Sequence, residues 1–316
     1  MTNIYQTLNN IVANAEKVII GKRDTISMVL ISLLCNGHVL VEDVPGVGKT
    51  SLVSAVARSI NASFSRIQFT PDTLPSDITG FSIYNMKTNE LEFKQGAVFS
   101  QFVLADEINR TSPKTQASLL EVMEEAQVTV DGVTYKMPRP FMVMATQNPA
   151  EYLGTYPLPE SQLDRFFMKL RVGYPTAKQE SRMLTNFKLD NPLEKLEAVA
   201  SPEDILEIQE QVRNVFVDES INDYVVGIVG ETRKNPGVEL GVSPRGTLAL
   251  FRATQAWALC SGRDYALPDD VTKVAQYVLN HRVMIRQEAR LKGVTALSVI
   301  QEAIEHVKPP ALAKNA

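Results

Sequence analysis

Reactive side chains are scarce in this chain, and neither positive nor negative residues are in large excess. Among 316 residues there are two cysteines, three histidines and one tryptophan. Cys35 and Cys260 are isolated thiols in apolar sequence, which read as buried small side chains rather than a disulfide or a metal pair. His38, His281 and His306 are scattered and offer no zinc-ligand spacing. Long hydrophobic runs are missing as well. The longest apolar stretch, residues 28–34, is broken by Ser32 and falls far short of the roughly 20 residues that span a bilayer. No basic start followed by an apolar run opens the chain, so no secretory signal is expected. Nor is there a basic excess: the formal net charge of -4 disfavours a protein that coats nucleic acid through a broad positive surface. These absences leave a reducing cytoplasm as the expected setting. Hydrophobic residues at 44% and charged residues at 22% suit a globular protein with a real core, and the length suits about two domains or one large one.

Periodicity divides the chain. Ile4, Leu8, Ile11 and Val12 share one helical face, and Ile26, Val29, Leu30, Leu33 and Leu34 share another. Short apolar strands are predicted at residues 39–41, 64–69, 102–105 and 141–145, separated by helical or irregular segments. That alternation implies a parallel sheet covered on both faces. Two stretches alternate apolar and polar residues as hairpins do: residues 81–94 around Thr88-Asn89, and 127–135 around Asp131-Gly132. After Leu170 the strand signals fade. Helix starts follow at Thr176–Gln179, Ser201–Asp204 and Pro268–Asp270, and Pro309-Pro310 ends the last helix. The expected organisation is an α/β nucleotide-binding core over residues 1–175, N-terminal helices included, and a helical lid over 176–316.

Chemistry concentrates at the strand ends. Asp43, Val44, Pro45, Gly46, Val47, Gly48, Lys49, Thr50 and Ser51 follow a strand and open a helix, the context a phosphate-binding P-loop requires. Gly46 and Gly48 let backbone N–H groups turn toward phosphate, Lys49 supplies a point charge near the β- and γ-phosphates, and the Thr50 hydroxyl is suited to Mg²⁺. Asp43 stands where glycine is usual, at the strand exit and ahead of the cradle, so a tolerated change is expected. Downstream, Asp106 and Glu107 end an apolar strand, where adjacent carboxylates must be solvated, paired or bound to a cation. With a P-loop upstream they read as a magnesium-side carboxylate and a base that polarises water; two solvent-facing acids are the plainer alternative.

Taken with Gln68-Phe-Thr-Pro-Asp72, Leu74-Pro-Ser-Asp-Ile-Thr-Gly80, Ala105-Asp-Glu-Ile-Asn-Arg110, Ala145-Thr-Gln-Asn-Pro149, Leu158 to Phe166 and Val242-Ser-Pro-Arg245, these motifs resemble the AAA+ superfamily and, within it, the MoxR family. The resemblance runs from about Ile19 to Arg245. It implies a P-loop αβα core with hairpin inserts followed by an all-helical lid, ATP and Mg²⁺ as cofactors, and ATP hydrolysis. Asn148 matches the polar residue that orients the attacking water. Arg165 matches an arginine finger that reaches a neighbouring subunit's nucleotide, which implies a homo-oligomeric ring, usually a hexamer; a surface salt bridge is the other reading of that side chain. Arg245, in the first turn after Ser243-Pro244, matches a second sensor expected to swing toward the γ-phosphate of its own subunit. Ile20 and Gly21, in Val18-Ile-Ile-Gly21, resemble a segment that contacts adenine, although core packing accounts for the same residues. Gln68 would modulate Glu107. Trp257, on a stripe with Leu250 and Ala253, reads as lid core. Arg110, Lys114 and the hairpins fit a partner contact or plain solvation equally.

The function implied is a chaperone-like ATPase that remodels, matures or assembles separate client complexes. In this family such clients often carry von Willebrand factor A domains, and none lies in this chain. The alternative is a nucleic-acid-dependent motor or a magnesium-chelatase-like motor subunit, which share the hairpin layout. Stable nucleic-acid binding and a membrane span are not expected. A nucleotide-gated scaffold has no chemical need for the base or the finger, and a small-molecule kinase fits the helical lid poorly.

Overall fold

A computed structural model describes residues 2–148, 154–187 and 191–311. Two helices, α1 (Thr2–Glu16) and α2 (Arg23–Leu34), precede the first strand, β1 (Val39–Glu42). Their buried side chains, including Leu8, Ile11, Ile26, Val29 and Leu33, are those the helical spacing marks. The chain continues through α3 (Lys49–Ser59), β2 (Phe64–Gln68) and the single-turn α4 (Pro75–Thr79) into a hairpin of β3 (Gly80–Asn85) and β4 (Glu90–Gln95). Then come β5 (Phe102–Asp106), α5 (Pro113–Glu125), a second hairpin of β6 (Gln127–Val130) and β7 (Val133–Lys136), β8 (Met142–Gln147), α6 (Glu160–Leu163) and β9 (Met168–Leu170). Asp131 and Gly132 both take positive φ, 50° and 79°, as a two-residue hairpin turn demands.

Five strands form one sheet in the order β2-β5-β8-β1-β9, with every pairing parallel. Alternate residues along each strand serve opposite faces. Val39, Val41, Leu104 and Met144 join the core beneath α1, α2 and α3. Leu40, Val103, Ala105 and Val143 join the core beneath α4, α5 and the hairpins. Because the strands run the same way, the residues after β1, β2, β5 and β8 emerge at one edge. That edge is where ligands bind in open α/β sheets.

The sequence pattern missed β9. It is three residues long, with Lys169 at its centre directed at Glu42 (3.2 Å), so it carries no apolar run. Beyond it lie α7 (Ala177–Asn186), α8 (Pro202–Arg213), α9 (Glu219–Lys234), β10 (Val238–Leu240), α10 (Pro244–Cys260), α11 (Pro268–Leu279), β11 (Met284–Ile285), α12 (Gln287–Leu291) and α13 (Ala296–His306). The helical region thus also holds a small antiparallel ribbon, β10-β11. Capping boxes at Thr176 and Ser201 start α7 and α8 as expected. Helices α8, α10 and α11 pack against α1, α2 and β9, and α9 packs on α10 and α11. Arg282, at the end of α11, clamps this region to the sheet: its Nε donates to Asp164 Oδ1 (2.7 Å) and its Nη2 to the Phe166 carbonyl (2.6 Å). Trp257 is partly buried against the same core. Burial pushes both thiols up, Cys260 to about 12. Among the described residues no helix is long and apolar enough to cross a membrane.

Candidate active site

The P-loop turns at the exit of β1. Gly46 and Gly48 have φ of 84° and 90°, values that glycine adopts without strain, and a side chain at Gly46 would meet nothing within 4 Å. Val44, Pro45 and Val47 carry the turn between them, and Lys49, Thr50 and Ser51 form the first turn of α3. Lys49 Nζ donates to the Asp43 carbonyl (2.9 Å). The carboxylate of Asp43 faces away from this cradle: Oδ2 accepts from the backbone N–H groups of Val172 (2.8 Å) and Gly173 (2.6 Å), and Oδ1 from Val44 (3.0 Å). The departure from glycine is therefore a strut that ties the loop to the segment leaving β9. Beside it, burial works to raise the Glu42 carboxyl, but Lys169, Gln147 and Arg171 outweigh that effect and hold it below its ordinary value.

Asp106 and Glu107 lie at the same edge, at the end of β5. Thr146 joins them. Its hydroxyl, fully buried, donates to Asp106 Oδ1 (2.6 Å) and accepts from the Glu107 N–H (2.9 Å). Glu107 has φ of 59°, a left-handed conformation that ordinary residues adopt at a cost. The Thr146 bond helps hold it. Asp106 Oδ2 accepts from Arg66 Nη2 (2.6 Å). Gln68 links Arg66 to the second acid, accepting from Arg66 Nη2 (2.8 Å) and donating to Glu107 Oε2 (2.8 Å). Arg110 also reaches Glu107 Oε2 (3.1 Å), so this residue faces the acid pair rather than solvent alone. Asn148 follows β8 at the same edge and is buried; Pro149 of its motif lies outside the described residues.

The segment at residues 18–21 borders the loop. A side chain at Gly48 would touch Ile19 at 3.8 Å, and Ile20 is buried. Gly21 has φ of 70°, and its carbonyl accepts from Gln179 Nε2 (3.2 Å), so this segment connects the P-loop to the first helix after the sheet.

Arg165 and Arg245 are elsewhere. Both reach Glu124 at the end of α5, Arg165 Nη1 at 3.2 Å and Arg245 Nη2 at 2.5 Å. They line a cleft of about 240 Å³ with Gly37, His38 and Phe167, residues that precede β1 and β9. That is the N-terminal edge of the sheet, one strand length from the P-loop; four residues of strand span about 13 Å. The expectation that Arg245 turns toward the γ-phosphate of its own subunit is not met here. The lid packs against α1, α2 and β9, so the start of α10 faces the wrong end of the sheet.

Thr146, Glu124 and Arg66 escape a reading of the sequence. Thr146 comes directly after an apolar strand signature, Glu124 lies among ordinary helix-surface acids, and Arg66 in a polar-alternating strand. The signal for Thr146 is a hydroxyl at the end of an apolar run, two residues before Asn148.

Residues 38–168 match the model for the ATPase family associated with various cellular activities, and residues 230–303 match an AAA lid domain. A Bacillus subtilis protein, uncharacterized protein YeaC, is 53% identical over 98% of this chain and 96% of its own. Chaperone MoxR1 of Mycobacterium tuberculosis is 42% identical over 96% of this chain and 82% of its own. A crystal structure of a protein assigned as an ATPase from Cytophaga hutchinsonii superposes with a TM-score of 0.92 at 37% identity, over 98% of this chain and 97% of that one.

Proposed function

The chain belongs to the MoxR family of AAA+ ATPases, and from that premise we propose that it hydrolyses ATP in sites shared between the subunits of a ring, a hexamer, to remodel, mature or assemble separate client proteins. One observation carries the shared site. The P-loop, Asp106 and Glu107 stand at one edge of the sheet, while Arg165 and Arg245 stand together at the other. A single subunit in this arrangement does not bring its arginines to its own phosphate cradle; a head-to-tail neighbour does, and heterologous contacts of that kind close into rings.

The roles follow. Residues 43–51 hold the triphosphate, with Lys49 as the point charge, and Ile20 and Gly21 border the adenine. Thr50 and Asp106 offer a hydroxyl and a carboxylate, oxygen ligands of the kind magnesium takes. When bound, that ion would neutralise charge developing on the phosphate oxygens. Glu107 polarises the attacking water, and Gln68 and Arg110 fix its carboxylate. Asn148 orients the same water. Arg165 and Arg245 of one subunit stabilise the transition state in the next, a contribution of about 10³ to 10⁵ in rate for such a finger. Residues 1–175 form the nucleotide-binding core and 176–316 the lid, which in this reading presents Arg245 outward.

Mixing two inactive variants tests the sharing. Glu107→Gln should bind ATP without turnover, and Arg165→Ala should also lose turnover. Mixed rings then contain interfaces with an intact base on one side and an intact arginine on the other, so activity should return in part. Mixtures as inactive as either parent would sink the shared site.

The client side rests on kinship with a protein named as a chaperone and on the acidic balance of the chain. A client bearing a von Willebrand factor A domain, in the cytoplasm, fits the family. Affinity capture with the ATP-loaded Glu107→Gln protein identifies it; recovery of nucleic acid alone would overturn a protein client.

A further inference from the structure

Glu124 is held by nothing in the nucleotide edge, yet it touches both arginines proposed to act across the subunit boundary. Its two oxygens are divided between them, Oε2 for Arg165 Nη1 (3.2 Å) and Oε1 for Arg245 Nη2 (2.5 Å). The arginines come from distant parts of the chain, one after α6 and one at the start of α10, and two guanidinium ions brought side by side repel each other. A carboxylate between them offsets that repulsion and sets their spacing. A guanidinium carries five N–H donors, so using one nitrogen on Glu124 leaves others for an outside anion. The three side chains are only partly covered, at 34% and 46% exposed for Arg165 and Arg245 and 37% for Glu124.

The backbone beneath Glu124 is fixed at both ends. At the start of α5, Gln116 Nε2 donates to the carbonyls of Ile108 (3.1 Å) and Tyr156 (2.9 Å), which ties the helix to the turn directly after Glu107. At its end, the Met123 carbonyl bonds with His38 Nε2 (2.8 Å), while His38 Nδ1 accepts from the Val143 N–H (2.9 Å). Helix α5, 13 residues long and so about 20 Å at 1.5 Å per residue, runs as a rod from the base of one site to the arginines of the next.

We propose that Glu124 is the positioning residue of the arginine pair: it sets the spacing and direction of Arg165 and Arg245, and through them the rate at which the neighbouring subunit cleaves ATP, without touching nucleotide itself. This rests on the shared-site reading above.

The test compares Glu124→Gln, which keeps size and removes charge, with Arg165→Ala/Arg245→Ala, and with all three changes combined. Turnover is measured under conditions where wild-type rate per chain no longer rises with concentration, and ATP affinity is measured with a fluorescent analogue. Glu124→Gln should lower kcat ten- to a hundredfold, the scale of a misplaced catalytic group, with analogue affinity unchanged. In the double-alanine background the residual rate, read in single turnovers with protein in excess of ATP, should show no further loss, because the effect of Glu124→Gln passes only through the arginines. Full or raised turnover in Glu124→Gln, or an added loss in the double-alanine background, overturns the proposal. If Glu124→Gln melts at lower temperature, the triple comparison still decides between these outcomes. Double-alanine protein with wild-type turnover rejects the shared site itself; an inactive double-alanine protein beside a fully active Glu124→Gln rejects only the positioning role.

Discussion

Thr146 shows how one hydroxyl arranges two charges. By donating to Asp106 and accepting from Glu107 N–H, it fixes the Asp106 carboxylate and the left-handed backbone of Glu107, the groups proposed above to meet magnesium and the attacking water. Thr146→Val keeps the shape and removes both bonds, leaving a half-buried N–H without its acceptor at a cost of about 1 kcal/mol. We expect kcat to fall roughly ten- to a hundredfold, as for a displaced catalytic group, with half-activation shifted to higher Mg²⁺. Thr146→Ser should stay near wild type. A magnesium titration of both variants checks this, and a valine variant with the wild-type midpoint would remove Thr146 from the site. Asp43 teaches a related lesson. The motif marks it as a tolerated departure from glycine, and only the structure shows its carboxylate bonded to Val172 and Gly173. Loop residues far apart in sequence met there through folding, so no local pattern could announce the contact.

Between elements, His38 stitches β1 to β8 and to the end of α5. Both ring nitrogens are occupied in a neutral ring, and burial lowers its pKa from 6.5 to about 4, against a small opposing effect of the Met123 carbonyl. A histidine depressed in the folded state binds fewer protons there than in the unfolded chain, so stability rises with pH through this window. The stabilisation is complete above about pH 6.5 and is lost as pH falls toward 4, by up to about 3 kcal/mol from His38 at 1.36 kcal/mol per unit. His281, lowered by burial and by Arg282, adds to the slope in the same direction. Urea unfolding at pH 7, 6 and 5 should show the decline, and His38→Gln should flatten it; an unchanged slope in that variant places the titration elsewhere. Most elements were legible beforehand: the parallel strands, both hairpins with the Asp131-Gly132 turn, and the capped starts of α7 and α8. Strand β9 and the β10-β11 ribbon were not, because two- and three-residue strands have too few residues to show a period.

For the whole molecule, the proposed sharing of each site between subunits would make turnover a property of the assembly. Dilution should lower ATPase rate per chain steeply, because a lone subunit keeps the cradle and loses the arginines, and sedimentation at the same concentrations should show the larger species disappearing in parallel. A constant rate per chain down to fully monomeric protein would contradict the ring. Single-stranded DNA should leave the rate unchanged, in keeping with a net charge of -4; strong stimulation that fades with salt would favour a nucleic-acid motor instead.

The order of residues was enough to determine the glycine turn that opens α3, the paired acids at the tip of a buried strand, the parallel α/β core and the helical region behind it. Each is a local matter: a glycine turn opening a helix, or carboxylates at the tip of an apolar strand, is written within a few consecutive positions. Where Arg165 and Arg245 stand relative to that cradle was decided only by tertiary structure. Arg245 sits at a helix start that by itself fits either edge of the sheet. The packing of α10 and α11 on α1, α2 and β9, locked by Arg282 on Asp164, selects the far edge, because burial of those apolar faces depends on surfaces hundreds of residues apart.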